Sequence, residues 1–364
     1  MKILIVQDRL RSGGTERQSI LLANAFAAAG HPTTLLTFRP GGALASTVAP
    51  PVSRHVLQPF DTRLDWFAPG LYRAIAAGAP DVILCMGRMA NCYAGGLQER
   101  FPSTAVIATM RTGKELPKLY RRSLGIVRHV VANSQEARAT LVSRYGAAPE
   151  TVSVIHNSLV FPTAPESGTR DALRADHGAT ANTRVLLCVA MFRREKNQRE
   201  LIEIAAKLPP GLDWQLWLGG EGPARSACER LATARALNGR VHFLGWQRDP
   251  APLYAAADLA VHASWSEALS NFLIEAQAGG LPVIAYDAQG IAECFVPNDT
   301  GFVIPRDDRD AFCHRICTIA QAAASDRAGQ AVRARQFARA SFDHDRQVER
   351  YLELFARLIS RQTR

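Results

Sequence analysis

The sequence predicts an α/β protein built from two doubly wound, Rossmann-like domains. Short apolar segments that indicate strands alternate with segments of helical periodicity from residue 2 onward. This alternation pauses in a polar stretch and restarts near residue 185. The length of 364 residues is enough for two domains of ordinary size.

The first domain is predicted over residues 1–165, and it begins with a buried strand that leads through a glycine-rich loop into a helix over 16–29. Its predicted strands are 2–6, 33–38, 81–86, 104–110, 130–133 and 152–156. Strands that alternate with helices form parallel sheets covered on both faces. The polar composition of residues 166–183 predicts a linker after this domain.

The second domain is predicted over residues 184–342 by the same alternation. Its predicted strands are 185–190, 214–218, 241–244, 259–262 and 283–286. A final helix is predicted over 343–364, because Val348, Tyr351, Phe355 and Leu358 recur on one side of it.

Composition excludes several classes of protein. The sequence contains no run of eighteen apolar residues, so no membrane-spanning helix is predicted. Its apolar start is too short for a secretory signal. The seven cysteines are odd in number and lack the spacing of a zinc site, so we expect free thiols in a reducing cytoplasm. No Asp-x-Asp pair stands at the end of a predicted strand, so no metal is expected.

The positive charge is concentrated in the first half of the chain. Residues 1–170 hold 19 Lys and Arg against 10 Asp and Glu, whereas the remainder holds 24 against 23. The basic segment 111–128 also contains apolar residues, a mixture that suits an anionic membrane surface or a phosphorylated acceptor. A general preference for arginine, with 38 Arg against 5 Lys, explains the charge equally well.

The segment 266–283 carries most of the functional information. Glu267 and Glu275 stand eight positions apart, and Ser270 or Asn271 is a suitable N-cap for a helix that follows. A helix start offers backbone N–H groups and a positive dipole end to a diphosphate, and Glu275 one turn later suits a ribose diol. An ordinary buried helix with two solvated acids is the alternative.

Two further loops carry suitable residue types. Arg193 and Lys196 follow the strand at 185–190, where fixed positive charge would stabilise a departing phosphate. Gly13 and Gly14 follow the first strand and allow close approach of a ligand to the backbone. A solvated basic turn and a plain strand-to-helix turn are the respective alternatives.

These motifs resemble those of retaining family 4 (group 1) glycosyltransferases, which have the GT-B fold. Glu267 and Glu275 match the paired glutamates of that family, Lys196 matches its phosphate-binding lysine, and residues 13–17 match its first glycine loop. The resemblance is specific over 186–301 and diffuse over 1–160. It implies two domains that face each other across a cleft, with the final helix crossing back to the first.

The resemblance implies a hexosyltransferase that moves a sugar from a UDP- or GDP-linked donor, without a further cofactor, to a glycan or lipid-linked acceptor. Bacterial surface polysaccharide or lipopolysaccharide synthesis at the inner face of the cytoplasmic membrane is the expected setting, and no nucleic acid is expected. Glu267, Lys196 and Arg193 are the expected catalytic residues. The expected donor-binding residues are Gly13, Gly14, Arg193, Lys196, Gly245, Trp246, Glu267, Leu269, Ser270, Asn271 and Glu275. Those expected at the acceptor are Glu16, Arg111 and Lys114.

The sequence departs from the family pattern at two positions. Met191 stands where an arginine is usual, so Arg193 or Arg194 is expected to replace it. Arg111 stands where a histidine is usual, and an arginine cannot act as a general base. A catalytically inactive GT-B binding module and a GT-B sugar-nucleotide epimerase are therefore alternative functions.

Overall fold

The computed structural model describes residues 1–161, 166 and 168–360, which form two compact units. The first unit comprises Met1–Ser158 together with the C-terminal segment from His344, and the second comprises Leu159–Asp343. Among the described residues, no helix is both long enough and apolar enough to cross a bilayer.

The first unit is built on a parallel seven-stranded sheet in the order β3-β2-β1-β4-β5-β6-β7. Its strands are β1 (Ile3–Gln7), β2 (Thr33–Thr37), β3 (Ser53–Val56), β4 (Val82–Cys85), β5 (Ala105–Met110), β6 (His129–Ala132) and β7 (Val152–Val154). Its helices are α1 (Gly14–Ala28), α2 (Leu71–Gly78), α3 (Arg88–Arg100), α4 (Lys118–Leu124) and α5 (Gln135–Ser143).

The second unit is built on a parallel six-stranded sheet in the order β10-β9-β8-β11-β12-β13. Its strands are β8 (Arg184–Val189), β9 (Trp214–Gly219), β10 (Val241–Gly245), β11 (Leu259–His262), β12 (Val283–Tyr286) and β13 (Gly301–Ile304). Its helices are α6 (Thr169–Asp176), α7 (Gln198–Ala206), α8 (Arg225–Ala234), α9 (Ala251–Ala256), α10 (Asn271–Gly279), α11 (Arg309–Gln321) and α12 (Ala324–Phe342). A further helix, α13 (His344–Ser360), belongs to the first unit.

Both faces of the first sheet are covered, because side chains alternate along β1. Leu4 and Val6 pack with α2 to α5 in one core, whereas Ile3 and Ile5 pack with α1 and α13 in another. The aromatic rings of α13 reach this second core: the Phe355 ring lies 5.4 Å from that of Phe26. The amphipathic pattern of the final helix thus correctly predicts a buried face.

The predicted linker contains helix α6, which packs within the second unit. Arg174 in this helix is 4% exposed, and its guanidinium donates to Asp258 Oδ2 at 3.0 Å and to the carbonyl oxygen of Thr183 at 2.6 Å. The prediction of a linker is therefore wrong for Thr169–Asp176, because buried ion pairing holds a polar helix on the sheet. Residue 167 of the predicted linker and residues 361–364 of the predicted final helix lie outside the described residues.

All seven cysteines are free thiols, as expected.

Candidate functional site

The candidate site of the second unit lies where its strand order reverses. The chain moves outward from β8 through β9 to β10, then returns to β11 on the other side of β8. In open α/β sheets, ligands bind outside the carboxyl ends of the strands at such a switch point. The loops after β8 and β11 carry Lys196 and Glu267 to this position.

Lys196, Glu267 and His262 form one polar cluster at the switch point, in which the glutamate and the histidine are buried and the lysine is partly exposed. The Lys196 Nζ atom lies 2.5 Å from Glu267 Oε1, and the His262 Nε2 atom lies 2.9 Å from the same oxygen. Glu267 and His262 are 7% and 1% exposed. Because both contacts fall on Oε1, the second carboxylate oxygen has no partner among the described residues.

The cluster fixes the charge state of the carboxylate. Burial by itself raises the pKa of Glu267, but Lys196 and the hydrogen bond from His262 outweigh it and lower the pKa to about 2. An ionised carboxylate only accepts, so His262 Nε2 carries the proton that joins the two groups. Within the part of the chain that the structure describes, His262 Nδ1 is buried without a hydrogen-bond partner.

The turn that carries Lys196 is attached to the loop after β11. The backbone carbonyl of Glu195 accepts hydrogen bonds from Trp265 N at 3.1 Å and from Ser264 Oγ at 3.0 Å. These bonds hold the 3-10 turn over Arg194–Lys196 in place, and so direct Lys196 towards the carboxylate. Arg193, at the start of this turn, is half-buried, whereas Arg194 is exposed. Of the two arginines that the sequence offers in place of the one usual at Met191, Arg193 is thus the more buried.

Glu275 lies on α10, one turn inside the helix, as its spacing predicts. The Tyr254 hydroxyl donates to Glu275 Oε2 at 2.6 Å, and Glu275 is half-buried. The Phe272 ring lies 6.2 Å from the Tyr254 ring and 5.7 Å from the His262 ring. The Phe272 ring therefore contacts both Tyr254, the partner of Glu275, and His262 of the polar cluster.

The start of α10 has the geometry that the sequence predicts. Ser270 is its N-cap residue, and Asn271 is its first helical residue. The first N–H groups of a helix have no partner within it, so this end can receive an anion. Leu269 and Ser270 are buried against the neighbouring core.

Glycines shape the loops around the switch point. Gly290 has a φ of +73°, and a side chain there would collide with the backbone carbonyl of Ala268 in the loop before α10. Gly220 packs in the same way against the carbonyl of Ala190 after β8, and its N–H donates to the Gly245 carbonyl at 2.6 Å. Trp246, the residue after Gly245, is 43% exposed, so its ring is accessible.

The first unit has its own switch point, between β1 and β4. Asp8 follows β1 and accepts hydrogen bonds from the N–H groups of Met89 at 3.1 Å and Ala90 at 2.9 Å, at the start of α3. Burial raises the pKa of Asp8 to about 6 against the lowering effect of these bonds. Gly14 is exposed at the start of α1, and the Glu16 carboxylate lies against Gly13.

The Arg111 side chain forms hydrogen bonds within the first unit. Its guanidinium donates to Asn157 Oδ1 at 2.5 Å and to the Tyr351 hydroxyl at 2.7 Å, so it connects the end of β5 to α13. This structural role was not predicted; a role at the acceptor stays a prediction. Lys114 is exposed nearby in sequence.

The basic segment 111–128 differs from the amphipathic surface that its composition suggested. Leu116, Tyr120 and Leu124 are buried in the core, and only Leu119 is strongly exposed, at 64%. The Arg121 Nε group donates a hydrogen bond to the carbonyl oxygen of Leu116. The interleaved apolar residues therefore serve the core.

Sequence reasoning missed His262, Tyr254 and Asp8. A lone histidine or tyrosine in an apolar segment carries no distinct signal, since its partner is chosen by the fold. The position of Asp8 directly after the first strand was the one available indication.

Solved structures share this architecture. The chain resembles HepE from Anabaena, solved in complex with UDP, with a TM-score of 0.83 and 23% identity over 98% of this chain and 100% of that one. It also resembles WaaG, a glycosyltransferase involved in lipopolysaccharide biosynthesis, with a TM-score of 0.76 and 20% identity over 98% and 99% of the two chains. The two doubly wound units therefore have the GT-B fold.

Family comparisons cover most of the chain in two parts. Residues 12–159 match the family described as Glycosyltransferase Family 4, and residues 169–335 match Glycosyl transferases group 1. The chain belongs to this family of glycosyltransferases.

Two curated relatives match over part of their length. The lipopolysaccharide core biosynthesis glycosyltransferase LpsE of Rhizobium meliloti is 33% identical over 183 residues, which is 50% of this chain and 53% of that protein. N-acetyl-alpha-D-glucosaminyl L-malate synthase of Bacillus anthracis is 31% identical over 131 residues, 36% of this chain and 34% of the relative. The matches thus span from about a third to about half of these relatives.

Proposed function

We propose that this protein is a retaining, metal-independent hexosyltransferase that uses a nucleotide-diphosphate sugar. The observation that carries the proposal is the polar Lys196–Glu267–His262 cluster at the switch point of the second sheet, next to the start of α10. A cation, an oriented carboxylate and a helix start meet there, which are the groups that a sugar diphosphate requires.

The contacts support a role for each residue of the cluster. Lys196 has further N–H donors besides the one directed at Glu267, so it can also meet a phosphate oxygen. Arg193 supplies the second positive charge for the departing diphosphate. The Oε2 atom of Glu267 accepts a hydrogen bond from a hydroxyl of the donor sugar, because Oε1 is held by Lys196 and His262.

Glu275 is proposed to bind the ribose, with its carboxylate oriented by Tyr254. Gly245 and Trp246 are proposed to contact the base, and Gly13 and Gly14 to approach the phosphates or the acceptor. Attack on the face from which the diphosphate leaves, assisted by a phosphate oxygen, would retain the anomeric configuration.

The acceptor is proposed to be a glycan or a lipid-linked glycan of the bacterial surface, used at the inner face of the cytoplasmic membrane. The likeness to LpsE, named for lipopolysaccharide core biosynthesis, supports this class of acceptor. A UDP-linked donor is the first choice to test, since HepE was solved with UDP and with UDP-glucose.

Nucleotide binding tests the donor site directly. Isothermal titration with UDP, GDP and ADP should show selective binding of one of them by the wild type. Glu275→Gln should weaken that binding roughly tenfold, because a charged hydrogen-bond acceptor is lost. Glu203→Gln, which changes a carboxylate in an ion pair with Arg235 outside the cluster, is the matched control.

Turnover separates the enzyme from a binding module. Release of nucleoside diphosphate from the donor, measured with and without bacterial glycolipid extract, should require both Lys196 and Glu267. Nuclear magnetic resonance of the product should show the anomeric configuration of the donor. Nucleotide binding without any turnover would favour the inactive module, and absence of binding to any nucleotide would refute the donor site.

A further inference from the structure

An exposed apolar surface follows β3 in the first unit. We define the aromatic loop as residues 56–72. It contains six of the eleven exposed large apolar side chains among the described residues: Val56, Phe60, Leu64, Trp66, Phe67 and Tyr72. Phe60 is 70% and Trp66 57% exposed. A concentration of this kind in one short segment indicates an interaction surface, since scattered apolar residues would need no explanation.

Hydrogen bonds from two side chains hold the backbone of the aromatic loop in place. Gln58 is 1% exposed, and its Nε2 group donates to the carbonyl oxygens of Leu64 at 3.0 Å and Phe67 at 2.6 Å. The Tyr93 hydroxyl of α3 donates to the carbonyl of Trp66 at 2.6 Å. The loop therefore presents its aromatic side chains outward on a fixed frame.

The acidic residues of the loop are neutralised by arginines from the unit itself. Arg39, whose side chain is 6% exposed, binds both Asp61 and Asp65. Arg9 adds a contact to Asp61 at 3.3 Å, and Arg11 one to Asp65 at 2.7 Å. Neither carboxylate is thus left to repel an anionic partner.

The remaining charge of the loop and the charges that flank it are positive. Arg63 in the loop, Arg54 just before it and Arg73 just after it are exposed, and none of them has an acidic partner among the described residues. Exposed aromatic and leucine side chains combined with unpaired arginines are typical of surfaces that enter the interface of an anionic bilayer.

Helix α4 extends this surface within the same layer of helices. The Tyr72 hydroxyl lies beside Gly96 of α3. The N–H of Gly95, also in α3, donates a hydrogen bond to the Ser123 hydroxyl of α4. The aromatic loop and α4 therefore flank α3. Among the exposed residues of α4 are Leu119, Lys118 and Arg122, which repeat the combination of apolar and cationic side chains.

We propose that the aromatic loop is a membrane-docking surface that inserts Phe60 and Trp66 among anionic lipid headgroups, with α4 as its basic flank. This inference deepens the proposed function, since it brings the chain to the surface where a lipid-linked acceptor resides. A glycan platform fits less well, because a sugar requires free polar groups beside the ring and both aspartates of the loop are already bound to Arg39.

Vesicle sedimentation tests the proposal without any turnover. The full chain is mixed with phosphatidylcholine vesicles, or with vesicles that also contain phosphatidylglycerol, at low and high salt. The wild type should bind the anionic vesicles, and the double variant Phe60→Ser/Trp66→Ser should bind roughly tenfold more weakly, because it loses the inserted apolar area. Val332→Ser, at a 51% exposed apolar residue of α12, is the matched control and should bind as the wild type.

Three results would overturn the proposal. They are failure of the wild type to bind anionic vesicles, unchanged binding by the double variant, and loss of all binding at high salt with no contribution from Phe60 or Trp66. Size-exclusion chromatography with light scattering would also overturn it if the double variant dissociated a dimer, since the loop would then contact a second copy. Unchanged melting temperature and nucleotide binding confirm that the variant is folded, so these results are independent of donor chemistry.

Discussion

Replacement of Lys196 by methionine should destabilise the second unit by about 2 to 3 kcal/mol at neutral pH. The substitution keeps most of the side-chain volume but removes the positive charge that lies 2.5 Å from a carboxylate only 7% exposed. A buried charge that loses its partner is strongly destabilising, whereas the loss of an exposed pair costs little.

The magnitude follows from the pKa of Glu267. Its lowering from 4.5 to about 2 corresponds to about 3 kcal/mol in favour of the ionised folded state. Because the folded-state pKa is the lower one, this stabilisation is present above about pH 4.5 and is lost as the pH falls towards 2. His262 remains in the variant, so the expected loss is somewhat smaller than the full value.

Urea unfolding followed by tryptophan fluorescence measures this effect in the relevant unit, because four of the five tryptophans lie there. The control is Lys207→Met, whose partner Asp310 is 87% exposed and whose loss should cost less than about 1 kcal/mol. The double variant Lys196→Met/Glu267→Gln should recover much of the lost stability, since no unpaired charge remains. Equal losses for the two lysine variants, or no recovery in the double variant, would refute the reasoning.

Three other predictions concern the remaining parts of the molecule. His262→Phe should lower kcat roughly tenfold while the Kd for the nucleoside diphosphate stays within about twofold, because only the orientation of the buried carboxylate is lost. Gly290→Ala should cost about 1 to 3 kcal/mol more in urea unfolding than Gly239→Ala, since both have positive φ but only Gly290 packs against the carbonyl of Ala268. Because the pKa of Asp8 is raised in the folded state, its protonated carboxyl stabilises that state fully below about pH 4. This stabilisation is lost as the pH rises through about 6. The melting temperature should therefore fall over that range in the wild type and not in Asp8→Asn.

Each of these measurements has a result that contradicts it. An equal weakening of nucleotide binding would contradict the positioning role of His262. Identical unfolding energies for the two glycine variants would show that the contact at Gly290 is relaxed by the loop. A parallel pH dependence in Asp8→Asn would assign the titration to another group.

Most of the strands that sequence predicts are buried. Their continuous apolar runs, such as the one ending at Val6, are typical of parallel strands covered on both faces. Strand β3 was missed because its residues Ser53–Val56 are all exposed at the sheet edge and form no apolar pattern. Strand β13, at an edge of the second sheet, was missed as well.

Long-range polar contacts explain what sequence could not predict. Arg111 was expected at an acceptor, but its hydroxyl partner, Tyr351, lies 240 residues away in the chain. Arg174 was assigned to a linker because residues 166–183 are polar in composition. In both cases the partner becomes known only when the chain is folded, whereas Glu267, Lys196 and Glu275 follow patterns within short segments.

Helix α13 has a consequence for the order in which the molecule forms during translation. The ribosome synthesises residues 1–158 first, but the face of their sheet that receives Tyr351 and Phe355 is covered only by a segment made after the whole second unit. The second unit can therefore mature while the first still exposes Phe26 to solvent. A nascent chain stalled before residue 344 should consequently recruit chaperones at its earliest-made part.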